Sequence, residues 1–240
     1  MKLHLAASRF ERLLPRVTNI LCTPGWIHLG QPPLDWIAEI REQFRFGCYF
    51  MVADLIASWI YRRWRPRRRP EELKRLEETS DFRQFHFDVG HTLEFEDNTF
   101  TFVLSEHFFE HLTLPQALAL LKECHRIMKP GAVVRTSVPD ADFRTYDVIE
   151  NPGYPSPKVP WNHHQKHKMR WNVISFSEAL RLTGFIPRPV QYSSPDGMYH
   201  ESIPDGSDSP YENCGEPELI GTLDYHRRLP SLVIDGIKPA

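Results

Sequence analysis

Short apolar runs alternate with longer stretches of helical spacing along this chain. KLHLA at 2–6 and Gly25–Leu29 (GWIHL) read as two short strands. Residues 33–79 then read as helical, broken by Pro66 and Pro70. From Phe85 to Pro139 the pattern changes. Phe100–Leu104 is a β-branched and aromatic run, Leu114–Met128 has helical spacing, and Ala132–Val138 is a second apolar run. A strand, a helix and a strand at that spacing predict a right-handed βαβ unit of a parallel sheet. Asn151–Pro160 and residues 193–217 each hold four prolines and read as irregular loops. Between them, Phe176–Leu182 is a short amphipathic helix with Gly184 at a C′ position, and Leu229–Ile237 is the last strand candidate. No internal repeat is visible. The expected class is α/β, a doubly wound and mostly parallel sheet with helices on both faces and a helical insertion after the second strand.

Composition narrows this picture. A length of 240 residues suits one domain spanning 1–240, with 33–79 as an Arg-rich helical insertion within it. The chain is 41% hydrophobic and 25% charged, which excludes fibrous and wholly disordered classes. A net charge of −2 gives no global attraction for nucleic acid, so no nucleic-acid partner is expected. Cys22, Cys48, Cys124 and Cys214 form no CxxC pair, as expected of reduced thiols in a cytoplasmic protein. No signal peptide is read at the start, and the most apolar stretch, Phe46–Tyr61, contains Asp54 and falls short of the roughly 20 residues a membrane span needs. There are 21 Pro against 12 Gly, and none of the glycines falls in the first strand-to-helix turn.

The densest chemistry lies in LEFEDNTFTFVLSEHFFEHL and ECHRIMKPGAVVRTSVPD. Glu96-Asp97-Asn98 makes a turn, and the following strand ends in Ser105-Glu106-His107, polar groups at a carboxyl edge where open α/β sheets bind ligands. Lys129-Pro130-Gly131 stops a helix and opens the next strand. Leu93–Thr101, Ser105–His111 and Glu123–Asp140 together resemble segments of the class I, Rossmann-like S-adenosylmethionine-dependent methyltransferases, of the type 11-like group. Weaker likeness extends to Lys2–Ser8, Gly25–Gly30, Ser177–Phe185 and Leu229–Pro239, in all about two thirds of the chain. The glycine loop of that family is degenerate here, with Ala6, Ala7 and Ser8 in its place, and Gly30 stands where the family has an acidic residue.

The resemblance implies S-adenosylmethionine as cofactor and methyl transfer to a small-molecule, glycan or lipid head-group acceptor. It implies that Leu5, Ala6, Ala7 and Ser8 line the cofactor, that Asp88 and Val89 contact its adenine, and that Ser105 and Glu106 face its methionine end. His107 and His167 are the candidate catalytic residues, and Trp161, His163 and His164 the candidate acceptor-binding ones. A neutral histidine there could take a proton from a hydroxyl or amine as methyl moves.

Other readings of the same residues stay open. Asp88 could cap a turn and Ser105 the following helix. A fold that has lost its cofactor anchors could act as a binding or scaffolding protein. His107-Phe108-Phe109-Glu110-His111 also spells HxxEH, a zinc-hydrolase signature when it lies on one helix. No metal is expected. Arg62, Arg63, Arg65, Arg67, Arg68 and Arg69, interleaved with Trp64, could rest on an anionic membrane surface or clamp an acidic acceptor.

Overall fold

A computed structural model describes residues 1–7, 25–30, 81–85, 87–143, 167–213 and 231–240. The Arg-rich segment 33–79, Ser8, Trp161, His163 and His164 lie outside the described residues, as do Cys22, Cys48 and Cys214.

Five strands run parallel: β1 (Lys2–Ala7), β2 (Trp26–Gly30), β3 (Asp81–Gln84), β4 (Phe100–Glu106) and β5 (Met128–Pro139). β6 (Ile186–Ser193), β7 (Tyr199–Glu201) and β8 (Ser231–Ile237) complete one sheet in the order β3-β2-β1-β4-β5-β8-β6-β7. β8 is antiparallel to both β5 and β6, and β7 closes a hairpin on β6. The order reverses direction between β1 and β4, because the chain leaves the β1 edge toward β3 and returns on the other side. That is the topological switch point of a doubly wound sheet, and its crevice opens at the carboxyl ends of the strands.

Helix α1 (Leu114–Ile127) connects β4 to β5, as the spacing predicts. Thr113 is its N-cap, with Pro115 in the first turn and the Thr113 amide donating to Gln116 Oε1 at 3.0 Å. α2 (Val173–Leu182) starts three residues before the predicted Phe176. Its start is set by an Asn172–Ser175 capping box, in which Asn172 Oδ1 accepts from the Ser175 amide at 2.8 Å. Gly184 ends α2 with φ +95°, and the Phe185 amide returns to Leu180 O at 2.9 Å. A Cβ at Gly184 would also stand 3.0 Å from His125 Nε2.

Both described helices pack on one face of the sheet. Leu3, Leu5, Ile27, Leu29, Val103, Val134 and Ile234 from the strands meet Leu120, Leu121 and Cys124 of α1 and Phe176 and Leu180 of α2. Burial pushes the Cys124 thiol up, so it stays a thiol and packs as an apolar group. On the opposite face Trp26, Phe102, Leu104 and Val133 gather around Tyr211. There Arg135 and Asp235 make a buried bidentate pair at 2.7 and 2.6 Å, and Tyr211 donates to Asp235 Oδ2 at 2.7 Å. Each partner supplies the charge or donor that offsets the desolvation of the other.

β6 and the hairpin with β7 depart from the sequence reading, which has no strand at 186–193 and only irregular chain at 193–217. Pro187 and Pro189 hide β6. β7 pairs only with residues 191–193, so among the described residues one side of β6 is a sheet edge over 186–189, where a missing N–H breaks no ladder bond. Among the described residues no helix is long and apolar enough to cross a membrane.

Candidate active site

The carboxyl edge of β4 carries a group of polar side chains, Ser105, Glu106 and His107. Ser105 is fully buried beside Leu5 of β1 and Thr136 of β5, its register partners. Its Oγ and Thr136 Oγ1 have no hydrogen-bond partner among the described residues. Ser105 therefore lies within the strand and does not cap a helix; Thr113 takes that role eight residues later. Glu106 is buried and stands 4.0 Å from His4 Nε2, and His4 Nδ1 lies 3.4 Å from His28 Nδ1. Burial lowers the basicity of His4 while the Glu106 carboxylate opposes the shift. The His4–His28 pair was absent from the sequence reading. Its signal was a single histidine in the middle of each apolar run, KLHLA and GWIHL.

His107 follows directly and leaves the strand in the left-handed region, at φ +48°. Its amide donates to Ser137 O at 2.8 Å, which ties the turn to the edge of β5. A non-glycine residue there costs about 1 kcal/mol, a strain the neighbouring contacts hold in place. The imidazole is fixed at both nitrogens. Nδ1 lies 3.2 Å from Glu110 Oε1, and Nε2 lies 3.3 Å from the Ser231 hydroxyl at the start of β8.

This turn corrects the helical reading of HxxEH. The left-handed residue at His107 and a short 3-10 turn at Phe109–His111 replace a continuous helix. His107 and His111 therefore do not present the one-face pair of a zinc hydrolase; His107 instead binds the carboxylate of Glu110. The Glu110 side chain is buried beneath the turn. Its backbone carbonyl accepts from the Lys168 and Met169 amides at 2.7 and 3.1 Å, and the Trp171 indole donates to Phe109 O at 3.2 Å. These bonds dock residues 167–171 against the turn and bring His167 to His111, their ring centroids 4.9 Å apart.

The other expected residues are spread along the same edge. Asp88 is exposed beyond β3, where its Oδ1 accepts from the Val89 amide at 2.8 Å and from Gln116 Nε2 at 3.0 Å. It thus holds a turn and the start of α1. Val89 is 56% exposed and offers apolar surface beside that carboxylate. Leu5 is buried in the core, and Ala7 pairs in register with Gly30 at the end of β2. Asp140, at the far end of β5, is a further buried carboxylate that sequence reading missed. It accepts from the Ser193 amide at 2.6 Å and the Asp142 amide at 3.1 Å, and burial nonetheless holds its pKa above the usual carboxylate range.

A nucleoside cofactor fits part of this edge. Apolar surface at Val89, the carboxylate of Asp88 and the polar end of β4 suit adenine and an amino-acid tail. Gly30 supplies no carboxylate for ribose hydroxyls at the end of β2.

Comparison with known proteins accounts for the middle of the chain. Residues 47–136 match the family described as methyltransferase domain, a segment that includes β4, the 107–111 turn, α1 and most of β5 and begins after β1 and β2. No curated protein matches the sequence. Among solved structures, the chain is similar to the complex of the Haloferax volcanii Trm112 methyltransferase activator with a methyltransferase, at 17% identity and TM-score 0.48, covering 100% of this chain and 82% of that one. It is similar to an S-adenosylmethionine-dependent methyltransferase of Mesorhizobium loti, at 14% identity and TM-score 0.46, covering 99% and 90%. A third is the Burkholderia thailandensis 1,6-didemethyltoxoflavin-N1-methyltransferase with S-adenosylhomocysteine, at 13% identity and TM-score 0.46, covering 100% and 71%. Residues 47–136 thus match a methyltransferase domain, and they include β4 and most of β5 of a mixed sheet whose order reverses between β1 and β4.

Proposed function

We propose that this enzyme methylates an oxygen or nitrogen nucleophile on a small-molecule, glycan or lipid head-group acceptor, bound where the 107–111 turn meets residues 167–171. S-adenosylmethionine supplies the electrophilic methyl group when bound. Leu5, Ala6, Ala7 and Ser8 would line it at β1, Asp88 and Val89 at its adenine, and Ser105 and Glu106 at the end of β4. The observation that carries the reading is His107, held at the switch-point edge between a buried carboxylate and a hydroxyl.

A carboxylate on Nδ1 fixes the imidazole tautomer and leaves Nε2 as the basic nitrogen. In this reading the acceptor hydroxyl or amine takes the place of Ser231 on Nε2, and His107 holds its proton as methyl arrives. Glu110 then stabilises the imidazolium. Most of the remaining rate comes from holding nucleophile and methyl in line and keeping water out. Trp161, His163, His164 and His167 belong to the acceptor side of the same proposal. Residues Arg62 to Arg69 would bring the enzyme, in the cytoplasm, to an anionic membrane surface or to an acidic acceptor.

The test is turnover with methyl-labelled S-adenosylmethionine against panels of small-molecule, glycan and lipid head-group acceptors, with and without anionic vesicles. Once an acceptor is found, His107→Gln should lower kcat by about 100-fold, the scale of general-base assistance, and leave cofactor affinity unchanged. Equal kcat in His107→Gln and wild type would remove His107 from the reaction.

A further inference from the structure

The contacts that dock residues 167–171 on the turn create a second arrangement beside His107. One carboxylate oxygen of Glu110 and one ring nitrogen each of His111 and His167 all lie within 4.8 Å of one another. Glu110 Oε1 faces His107 Nδ1. Glu110 Oε2 is buried and has no hydrogen-bond partner among the described residues. A buried, unpartnered carboxylate oxygen costs several kcal/mol unless something positive or hydrogen-donating meets it. His111 Nε2 lies 4.0 Å from Glu110 Oε1, and the His111 side chain is 38% exposed, so the cluster is reached from solvent.

We propose that Glu110, His111 and His167 form a binding site for a divalent transition-metal ion of the zinc type. Two imidazoles and a carboxylate are a recurrent donor set for zinc, with the remaining coordination positions left for water or a ligand oxygen. Bond lengths of about 2.0–2.2 Å place tetrahedral ligands about 3.3 Å apart, so the three donors must close by up to about 1.5 Å. Rotation of two partly exposed imidazoles supplies that movement. The backbone is already positioned, since the Lys168 and Met169 amides bond the Glu110 carbonyl. His107 would be the outer partner that orients the Glu110 carboxylate, the arrangement common around metal ligands. This site differs from the HxxEH reading of the sequence, because His107 is not a ligand and His167 comes from a distant segment.

The experiment is titration of the chelator-stripped full chain with zinc by calorimetry and with cobalt(II) by its visible absorption. The expected result is one saturable site with a tetrahedral or five-coordinate cobalt spectrum. His111→Asn and His167→Asn should each weaken zinc at least about tenfold, and Glu110→Gln should do the same if it stays folded. His125→Asn, whose ring packs on Phe185 far along the chain, should bind as the wild type does and controls for adventitious binding among 12 histidines. Thermal melts establish that the two surface histidine variants are folded. Absence of a saturable site, or wild-type affinity in the folded His111→Asn/His167→Asn double variant, would overturn the proposal.

Discussion

His4 shows how much a single buried residue can set. It sits in β1 between core residues, within reach of His28 on β2 and Glu106 on β4, and burial keeps its ring from taking a proton at ordinary pH. In the unfolded chain the same ring protonates near pH 6.5. Below that pH the unfolded state therefore binds a proton that the folded state refuses, and stability falls as pH drops. The loss begins near 6.5 and continues toward the depressed folded value, with a slope of at most about 1.4 kcal/mol per pH unit. His125 is shifted in the same direction, by partial burial and the nearby Lys238 ammonium, and adds to the slope. Urea unfolding at a series of pH values should show this acid loss in wild type and a shallower slope in His4→Gln. An identical slope in both would mean that His4 is protonated in the fold.

Among the elements, α1 and the loop before β4 are joined by the Arg126–Glu123 pair. Arg126 donates to Leu93 O, to Phe95 O, to Asp97 and to both oxygens of Glu123, while Glu123 Oε2 also accepts from the Leu93 amide. The Glu-x-x-Arg spacing that supported the family resemblance is thus a clamp that seats the LEFED loop against α1. Arg126→Ala should lose about 2–3 kcal/mol of unfolding free energy, since two backbone carbonyls and two carboxylates lose a charged donor. Arg126→Lys should recover only part, because an ammonium cannot span partners that a planar fork reaches together. Wild-type stability in Arg126→Lys would contradict the clamp. The same elements show what a sequence reveals and what it conceals. β4, α1 and β5 were legible because apolar periodicity and Lys129-Pro130-Gly131 agree locally. β6 was hidden, because two prolines argue against a strand unless the neighbouring strand is known to stop short. The turn at His107 was also misread, since left-handed backbone at a histidine leaves no mark in the spacing of HxxEH.

The whole molecule joins these parts through one eight-stranded sheet running from Lys2 to Ile237. Its order reverses between β1 and β4, and the polar ends of those strands meet the 107–111 turn there. The resemblance was legible in the middle segments, of which Leu93–Thr101, Ser105–His111 and all but the last four residues of Glu123–Asp140 fall in the matched residues 47–136. The acceptor was not legible, because it depends on side chains that tertiary docking brings together, such as His167 against His111 across 55 intervening residues. Placing methyl transfer at this edge requires that the chain bind the cofactor despite Ala6, Ala7 and Ser8 at the first turn and Gly30 at the second. Calorimetric titration of the full chain with S-adenosylmethionine and S-adenosylhomocysteine tests that most directly. Saturable one-to-one binding with a dissociation constant on the order of micromolar is predicted, a free energy of about −8 kcal/mol. Absence of binding of either nucleoside up to millimolar concentration would contradict the account.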